Sequence, residues 1–273
     1  MYGPDSEAWA LSRESILLLG AGPRALLLQI AHPAVAAGVD EHSDFRADPW
    51  GRLAATLKSY LTIVYGSTPI ALAEIRRLHA LHAAVVGTGY SARDPELSLW
   101  VHATLVESTL VANDRWIAPL GAERRERAYQ ETRPIGRAFG VPEALLPRDL
   151  AAFDAYVAAM LAPDGAVQVG PLARDLASVI LHPPLAPLLP AAGPLLARIP
   201  PAFYSWVLWP SIGLLPPTVR EGYGLSWGPR ERAVAAWLVA GWRAWRPLIP
   251  PAWRQMPKAL AADVRAGSRS GAP

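Results

Sequence analysis

The sequence predicts an all-α fold that forms a single domain over residues 1–273. Three helix starts share one pattern, a capping side chain followed by proline at the first helical position: Asp48-Pro49, Thr68-Pro69 and Asp94-Pro95. No segment alternates apolar and polar residues over strand length between hairpin turns. Hydrophobic residues make up 52% of the chain and charged residues 18%, so the chain can bury a substantial core.

The predicted helices follow one another with short connections. The helix that starts at Asp48-Pro49 is predicted to run to about Tyr65, and the one at Thr68-Pro69 to a C-terminal cap at Gly87. The start at Asp94-Pro95 opens a helix over 96–116. Further helices are predicted over 122–139, 147–161, 172–181 and 229–245. Prolines crowd the chain after residue 183, so we expect residues 1–182 to form a helical core and residues 183–273 to wrap around it. The sign-alternating segment 123–127 is typical of a solvated helix face.

A glycine pair near the N-terminus imitates a dinucleotide-binding turn. Gly20 and Gly22 follow the apolar residues 16–19, and Asp40 lies near the position of a ribose-binding carboxylate. No alternation of strands and helices follows, and Asp40 is expected in a polar turn. We therefore interpret the pair as a loop that lets a helix start close to a neighbouring one.

Composition excludes several classes of chemistry. The chain has no cysteine, which removes thiolate zinc sites, iron–sulfur clusters and thiol catalysis. Neither a hydrolase nucleophile motif nor a Glu-x-x-His pair for a di-iron bundle is present. The net charge is only +3 and arginine is scattered along the helices, so no nucleic-acid partner is expected.

The N-terminal residues do not resemble a signal peptide. Residues 1–15 contain Glu7 and Glu14 in place of a basic start and an apolar core, and Arg24 interrupts the longest apolar run. These features predict a soluble, cytoplasmic protein. Its last third is rich in tryptophan, which favours a substrate funnel or peripheral contact with a membrane surface.

The most informative pair is His79 and His82, which share a helix face with Leu72 and Ile75. An imidazole on an apolar face is either a hydrogen-bonded core residue or a ligand of a metal or haem iron. Other polar groups also interrupt apolar helices. Arg52 and Thr56 lie one turn apart, and His32, Glu41, His102 and Thr104 occur nearby in sequence.

Simpler interpretations exist for the single residues. Thr56 and Thr104 can bond to backbone carbonyls one turn back, His32 can be a polar helix cap, and His102 can be a structural hydrogen-bonding residue. Polar residues that recur in this way favour convergence on a shared polar or cofactor site.

Taken in order, these motifs resemble the haem-dependent oxygenase family of latex-clearing proteins (rubber oxygenases) and MpaB-type oxygenases. The resemblance runs from about Gly20 to Leu161 and continues more loosely towards the C-terminus. The motifs that carry it are Leu28-Gln29-Ile30-Ala31-His32-Pro33-Ala34-Val35, Arg52-Leu53-Ala54-Ala55-Thr56, His79-Ala80-Leu81-His82-Ala83-Ala84-Val85 and Trp100-Val101-His102-Ala103-Thr104-Leu105-Val106.

The resemblance implies a globin-like helical core that holds haem b through one proximal histidine. It assigns His82 as the iron ligand and His79 as its neighbour beside the haem. The remaining assignments are Arg52 and Thr56 as a distal polar pair, Thr104 as the threonine of the third helix, Glu41 as a counterpart of the distal glutamate, and His32 as a further cofactor contact. Ala55 stands where rubber oxygenases can carry an iron-binding lysine, and the chain is shorter than those enzymes.

The resemblance therefore implies an oxygenase that uses dioxygen or peroxide on a small apolar or isoprenoid-like molecule, not on polyisoprene. Two alternatives stay open from the sequence. One is a haem-binding sensor or carrier without turnover, and the other is a cofactor-free helical interaction protein whose histidine pair lies in the core.

Overall fold

The computed structural model describes residues 2–183 and 205–270 and confirms the all-α fold class. In the first range the helices are α1 (Glu7–Leu11), α2 (Leu17–Gly20), α3 (Gly22–Ile30), α4 (Pro33–His42), α5 (Pro49–Tyr65), α6 (Thr68–His82), α7 (Pro95–Trp116), α8 (Ala122–Ala138), α9 (Leu150–Met160) and α10 (Pro171–Leu181). In the second range they are α11 (Trp209–Ile212), α12 (Pro217–Gly222), α13 (Pro229–Trp245), α14 (Pro251–Arg254) and α15 (Pro257–Ser270), with short 3₁₀ turns at Ser205–Leu208 and Arg246–Leu248.

A capping side chain followed by proline sets the starts of α5 and α7 as predicted. The Asp48 carboxylate accepts a hydrogen bond from the Gly51 amide at 2.9 Å, and Pro49 opens α5. Asp94 caps α7 in the same way, through the Glu96 amide at 2.8 Å. Each cap satisfies a backbone donor that the helix itself leaves without a partner, which fixes the position of the first turn. The prediction of Thr68 as a cap was wrong, because α6 begins at Thr68 with Ser67 as its N-cap and no capping hydrogen bond from a side chain.

The end of the histidine helix differs from the prediction. α6 ends at His82, and Val86–Gly87 (β1) pairs antiparallel with Tyr90–Ser91 (β2). Gly89 turns the hairpin with a positive φ of 79°, a conformation that suits glycine. The expectation of a helix cap at Gly87 was therefore wrong, because the Tyr90 ring packs directly over the Cβ-less Gly87.

The glycine pair near the N-terminus lies between helices, not after a strand. Gly20 ends α2 and Gly22 begins α3. A Cβ at Gly20 would lie 2.6 Å from the indole nitrogen of Trp116, so glycine lets α2 pack closely against α7. The interpretation as a close helix contact is confirmed. Asp40, in contrast, lies in the last turn of α4 and not in a polar turn as predicted.

The largest apolar cluster forms where α3 packs against α7 and α10. Leu27, Leu28 and Leu176 are almost completely buried there, and the Trp100 indole nitrogen donates to the Leu28 carbonyl at 3.2 Å. An ion pair crosses the α3–α7 interface beside this cluster, where Arg24 binds the Glu107 carboxylate with both terminal nitrogens of its guanidinium.

A second cluster joins α7 to α8 and α9, with the rings of Tyr129 and Phe153 4.7 Å apart. The charged start of α8 is a solvated helix face, as predicted, with Glu123, Arg124 and Arg127 exposed. Arg124 and Arg127 also bind the carboxylate of Glu7 in α1, which is buried. The segment therefore ties α1 to α8, because a buried carboxylate requires cationic partners.

Helices α5 and α6 form an antiparallel hairpin that carries most of the predicted site. The C-terminal half of α5 is anchored: Tyr65 packs edge-on against Trp9 with ring centroids 5.0 Å apart, and its hydroxyl donates to the Trp9 carbonyl at 2.9 Å. The first turns of α5 and the last turn of α6 are far more exposed.

Among the residues that the structure describes, no helix is both long enough and apolar enough to cross a membrane. Part of the predicted C-terminal wrap, residues 184–204, lies outside the described residues.

Candidate active site

Two imidazoles stand on the last turn of α6, at His79 and His82. Residues three apart on a helix are neighbours on its surface, so the pair shares one face as the spacing predicts. Both side chains are half-buried. Because α6 ends at His82, this residue lies where the chain turns towards the β1–β2 hairpin.

The His82 imidazole is free to bind a ligand. Within residues 2–183 and 205–270, neither His79 nor His82 has a hydrogen-bond partner. Burial lowers the pKa of His82, and the nearby positive charge of Arg52 and the neighbouring His79 lower it further. At neutral pH His82 is therefore an uncharged imidazole with an available lone pair, the form in which histidine binds a metal.

The structure brings Arg52 and Thr56 together on the first turns of α5. The Arg52 guanidinium donates to the Thr56 hydroxyl at 2.6 Å, and this hydroxyl donates to the Arg52 carbonyl at 2.9 Å. The second bond is the backbone contact expected of a helical threonine. The Thr56 hydroxyl donates its hydrogen to the Arg52 carbonyl, so its oxygen can accept from the guanidinium and orient it. The charge of Arg52 is close enough to His82 to lower the pKa of that imidazole.

Two glycines of the α8 region face imidazoles. A Cβ at Gly140 would lie 3.7 Å from the His79 ring, and one at Gly136 would lie 3.4 Å from the ring of His102. Gly140 follows α8 and has a positive φ of 89°, which glycine adopts without strain. The loop after α8 therefore passes close to the histidine end of α6.

His102 differs from the structural, hydrogen-bonded residue that the sequence suggested. It is buried in α7, and its Nε2 has no hydrogen-bond partner among the described residues. Burial lowers its pKa to about 4. A glycine in the interior of α8 is unfavourable for a helix, so Gly136 was the sequence signal that a bulky group packs there.

Thr104 is a buried contact between α3 and α7. Its hydroxyl accepts from the Gln29 amide at 3.0 Å and donates to the Val101 carbonyl at 2.8 Å. No hydrogen bond joins Thr104 to the histidine pair within the described part of the chain. Gln29 of α3 and Thr104 of α7 therefore contact each other within the apolar interface of these two helices.

His32 occupies the N-cap position of α4, but its side chain makes no capping hydrogen bond. Its Nδ1 is buried without a partner among the described residues, and burial lowers its pKa, while Asp94 acts in the opposite direction. The polar-cap interpretation was therefore wrong. His32 is instead a neutral imidazole at the junction of α3 and α4.

Glu41 lies at the end of α4, where it accepts a hydrogen bond from the Tyr90 hydroxyl at 2.7 Å. Its carboxylate is 4.0 Å from the imidazole of His42, which donates to the Val86 carbonyl at 3.2 Å. These contacts hold α4 against the β1–β2 hairpin. No hydrogen bond or ion pair connects Glu41 to His82 among the described residues.

The tryptophan-rich end of the chain forms an apolar groove of about 310 Å³, lined by Ile16, Leu19, Trp116, Val207, Leu238, Gly241, Trp242 and Trp245. Trp116 is fourteen residues after His102 on α7, a rise of about 21 Å along the helix. The groove, which contacts α7 at Trp116, is therefore far along this helix from His102, the residue that faces Gly136.

His82 offers a single imidazole, which is enough only for a metal whose other ligands come from a cofactor. In the described ranges no cluster of three or more histidine or carboxylate side chains could hold a metal ion. A porphyrin iron needs only one axial imidazole from the protein. Leu53 and Leu81 are exposed apolar side chains on α5 and α6, the two helices that carry the site.

Comparisons with known proteins cover this whole region. The family model described as "ER-bound oxygenase mpaB/B'/Rubber oxygenase, catalytic domain" matches residues 9–245, which include every candidate site residue named above. An uncharacterized protein of Mycobacterium tuberculosis is 30% identical over 260 residues, which cover 90% of this chain and 96% of that protein. An uncharacterized protein of Mycobacterium bovis matches with the same identity and coverage. No solved structure matches the chain.

Proposed function

This chain belongs to the family of mpaB/B' and rubber oxygenase catalytic domains, and we propose that it is a haem b-dependent oxygenase acting on a small apolar or isoprenoid-like molecule. The family is one of oxygenases, which supports an oxidoreductase in general terms. The haem, its ligand and the substrate class are our proposals.

The observation that carries the proposal is the state of His82. Its side chain has no hydrogen-bond partner among the described residues, burial and then the charge of Arg52 and the neighbouring His79 lower its pKa, and it lies within the matched segment. His82 would hold the iron through its free ring nitrogen. When bound, the haem supplies the activation of dioxygen or peroxide that an apolar molecule needs to be oxidised.

The other side chains bind and orient. The guanidinium of Arg52 can pair with a haem propionate or stabilise negative charge that develops during oxidation. Thr56 holds the Arg52 guanidinium through the 2.6 Å hydrogen bond and thereby fixes the direction of that charge. His79 adds to the electrostatic depression of the His82 pKa and keeps the ligand unprotonated.

The remaining candidates rest on the resemblance alone. Glu41 and Thr104 already have hydrogen-bond partners that join helices, so we propose them as supports of the site, and His32 as a neutral contact near it. Ala55, on α5 between Arg52 and Thr56, offers no ligand atom. We therefore propose that no side chain from that position competes for the iron.

Haem content of single variants tests the proposal. The parent protein, purified after expression with a haem precursor, should show a Soret band with about one haem b per chain, since the family site binds one iron. His82→Ala should lose haem while its helical circular dichroism is unchanged. His182→Ala is the matched control, because His182 is an exposed histidine at the end of α10 and should keep full occupancy.

Three results would contradict parts of the proposal. A parent without a Soret band after haem reconstitution excludes the haem. Full occupancy in His82→Ala with an unchanged band assigns the iron to another residue. A haem-loaded parent that consumes no oxygen or peroxide with squalene or shorter isoprenoids excludes the proposed substrate class and favours a haem-binding sensor or carrier.

A further inference from the structure

The tryptophans of the C-terminal helices are unusually exposed. Trp237, Trp245 and Trp253 leave 67%, 65% and 83% of their surface accessible, and Leu248 leaves 72%. Large aromatic side chains are normally at least partly buried in a folded protein. These three tryptophans and one leucine lie within seventeen residues of one segment, and they form an apolar surface that the described residues do not cover.

These side chains belong to one region of the molecule. Trp245 lines the apolar groove at the end of α13, together with Leu19. The buried carboxylate of Glu14, five residues before Leu19, binds both Arg246 and Arg254, the residues directly after Trp245 and Trp253. This double ion pair fixes the two aromatic segments beside the groove. We call the surface of Trp237, Trp245, Leu248 and Trp253 the tryptophan face.

The exposed side of α13 between these tryptophans is also apolar. Its accessible residues at one-turn spacing are Ala233, Trp237, Ala240 and Ala244, and Arg230 lies at the start of the helix. This side of α13 has no packing partner among the described residues. Arginine at the edge of such a face can extend its apolar stem along it while its charge reaches polar groups.

Basic residues outnumber acidic ones along the segment that carries the tryptophan face. From residue 232 to residue 262 the sequence contains five basic residues (Arg232, Arg243, Arg246, Arg254 and Lys258) and no acidic residue. Arg246 and Arg254 are paired with the Glu14 carboxylate, whereas Arg232, Arg243 and Lys258 form no ion pair among the described residues. Glu231, just before this range, is engaged in capping the Gly228 amide at 2.7 Å. A partner that is negatively charged and also accepts indole rings is therefore favoured over a neutral or positively charged one.

We propose that the tryptophan face docks the protein on the surface of an anionic phospholipid bilayer. Tryptophan rings are favourable at the boundary between headgroups and acyl chains, and basic side chains gain from the negative surface potential of anionic lipids. The groove of about 310 Å³ opens on the same region and would lie against the acyl-chain boundary. His82 stands on α6, and no residue of α6 lines this groove, so the docking does not require haem bound at His82.

Co-sedimentation with vesicles tests the proposal on the full chain. Vesicles of phosphatidylcholine alone are compared with vesicles that also contain phosphatidylglycerol, at low and at physiological ionic strength. The parent should bind the anionic vesicles more tightly, and salt should weaken this preference. The double variant Trp237→Ala/Trp253→Ala should bind them at least about tenfold more weakly, since each ring buries large apolar area at the interface.

A matched double variant, Ile70→Ala/Leu145→Ala, removes exposed apolar side chains at 55% and 41% accessibility from other parts of the molecule and should bind as the parent does. Circular dichroism and thermal unfolding of both double variants establish that the fold is intact. Absence of parental binding, equal binding to both vesicle types, or unchanged binding of the tryptophan variant would overturn the proposal. So would a concentration-dependent dimer that the tryptophan variant abolishes while vesicles are not bound, which would assign the face to a second copy of the chain.

Discussion

Replacing His102 with leucine should remove a large part of the protein's loss of stability in mild acid. The imidazole is buried in α7 between Gly136 and Leu146, and its Nε2 has no partner in the described part of the chain. Burial lowers its pKa from 6.5 to about 4 in the folded state. Leucine has a similar volume and no titrating group, so the substitution isolates the proton equilibrium from the packing.

The sign and size of the effect follow from linkage. The pKa of His102 is lower in the folded protein than in the unfolded chain, so the unfolded chain binds the proton first as the pH falls below 6.5. The free energy of unfolding therefore decreases progressively down to about pH 4, where the folded protein also binds the proton. Between neutral pH and about pH 5, one such histidine contributes a loss of about 2 kcal/mol in the free energy of unfolding. Above pH 7 this contribution vanishes, and leucine is expected to be neutral or stabilising there because it removes an unsatisfied buried polar atom.

Urea unfolding monitored by circular dichroism measures the difference. His32 and His82 also have lowered pKa values, so the parent loses stability in acid for more than one reason. The difference between parent and His102→Leu, taken at neutral pH and at about pH 5, cancels these shared terms and should be about 2 kcal/mol. His182→Leu, at an exposed position, should follow the parent. Parallel pH profiles for parent and His102→Leu would refute the reasoning, because the imidazole would then not be buried in its neutral form.

Two further changes probe the electrostatics of the site and of the core. Arg52→Ala should raise the pKa of His82, because the guanidinium charge lowers it, and ring-proton NMR titration measures this; oxidation of a confirmed substrate should fall on the order of 100-fold if the charge acts in catalysis. Arg24→Met should cost about 3–5 kcal/mol in urea unfolding, since the partly buried carboxylate of Glu107 would lose its cationic partner.

Each of these has a discriminating control. An Arg52→Lys variant restores the charge without the planar guanidinium, so it should restore the His82 pKa and restore turnover only in part. The double variant Arg24→Met/Glu107→Met should recover much of the stability lost by Arg24→Met alone. An unchanged His82 pKa in Arg52→Ala would show that the Arg52 charge does not act on His82. A double variant as unstable as Arg24→Met alone would show that packing, not charge, holds α3 to α7.

Local sequence signals predicted most of the fold. Proline after a capping side chain fixed the starts of α5 and α7, and α13 has the predicted bounds Pro229–Trp245. The errors arose where side-chain contacts that no local pattern announces decided the structure. The Tyr90 ring packs over Gly87, and a hairpin forms where a helix cap was expected. The partnership of the buried Glu7 with Arg124 and Arg127, more than a hundred residues away in the chain, was also not foreseen.

The sequence by itself determined the helical class, the absence of cysteine chemistry, and the shared faces of His79 with His82 and of Arg52 with Thr56, because helical periodicity fixes which residues three or four apart are neighbours. Only the tertiary structure decided what surrounds them. Pairing of α5 with α6 brings the charge of Arg52 close enough to lower the pKa of His82. Packing of α7 against α8 buries the Nε2 of His102 without a partner among the described residues. Burial and electrostatic distance thus depend on contacts between helices, which helical periodicity does not predict.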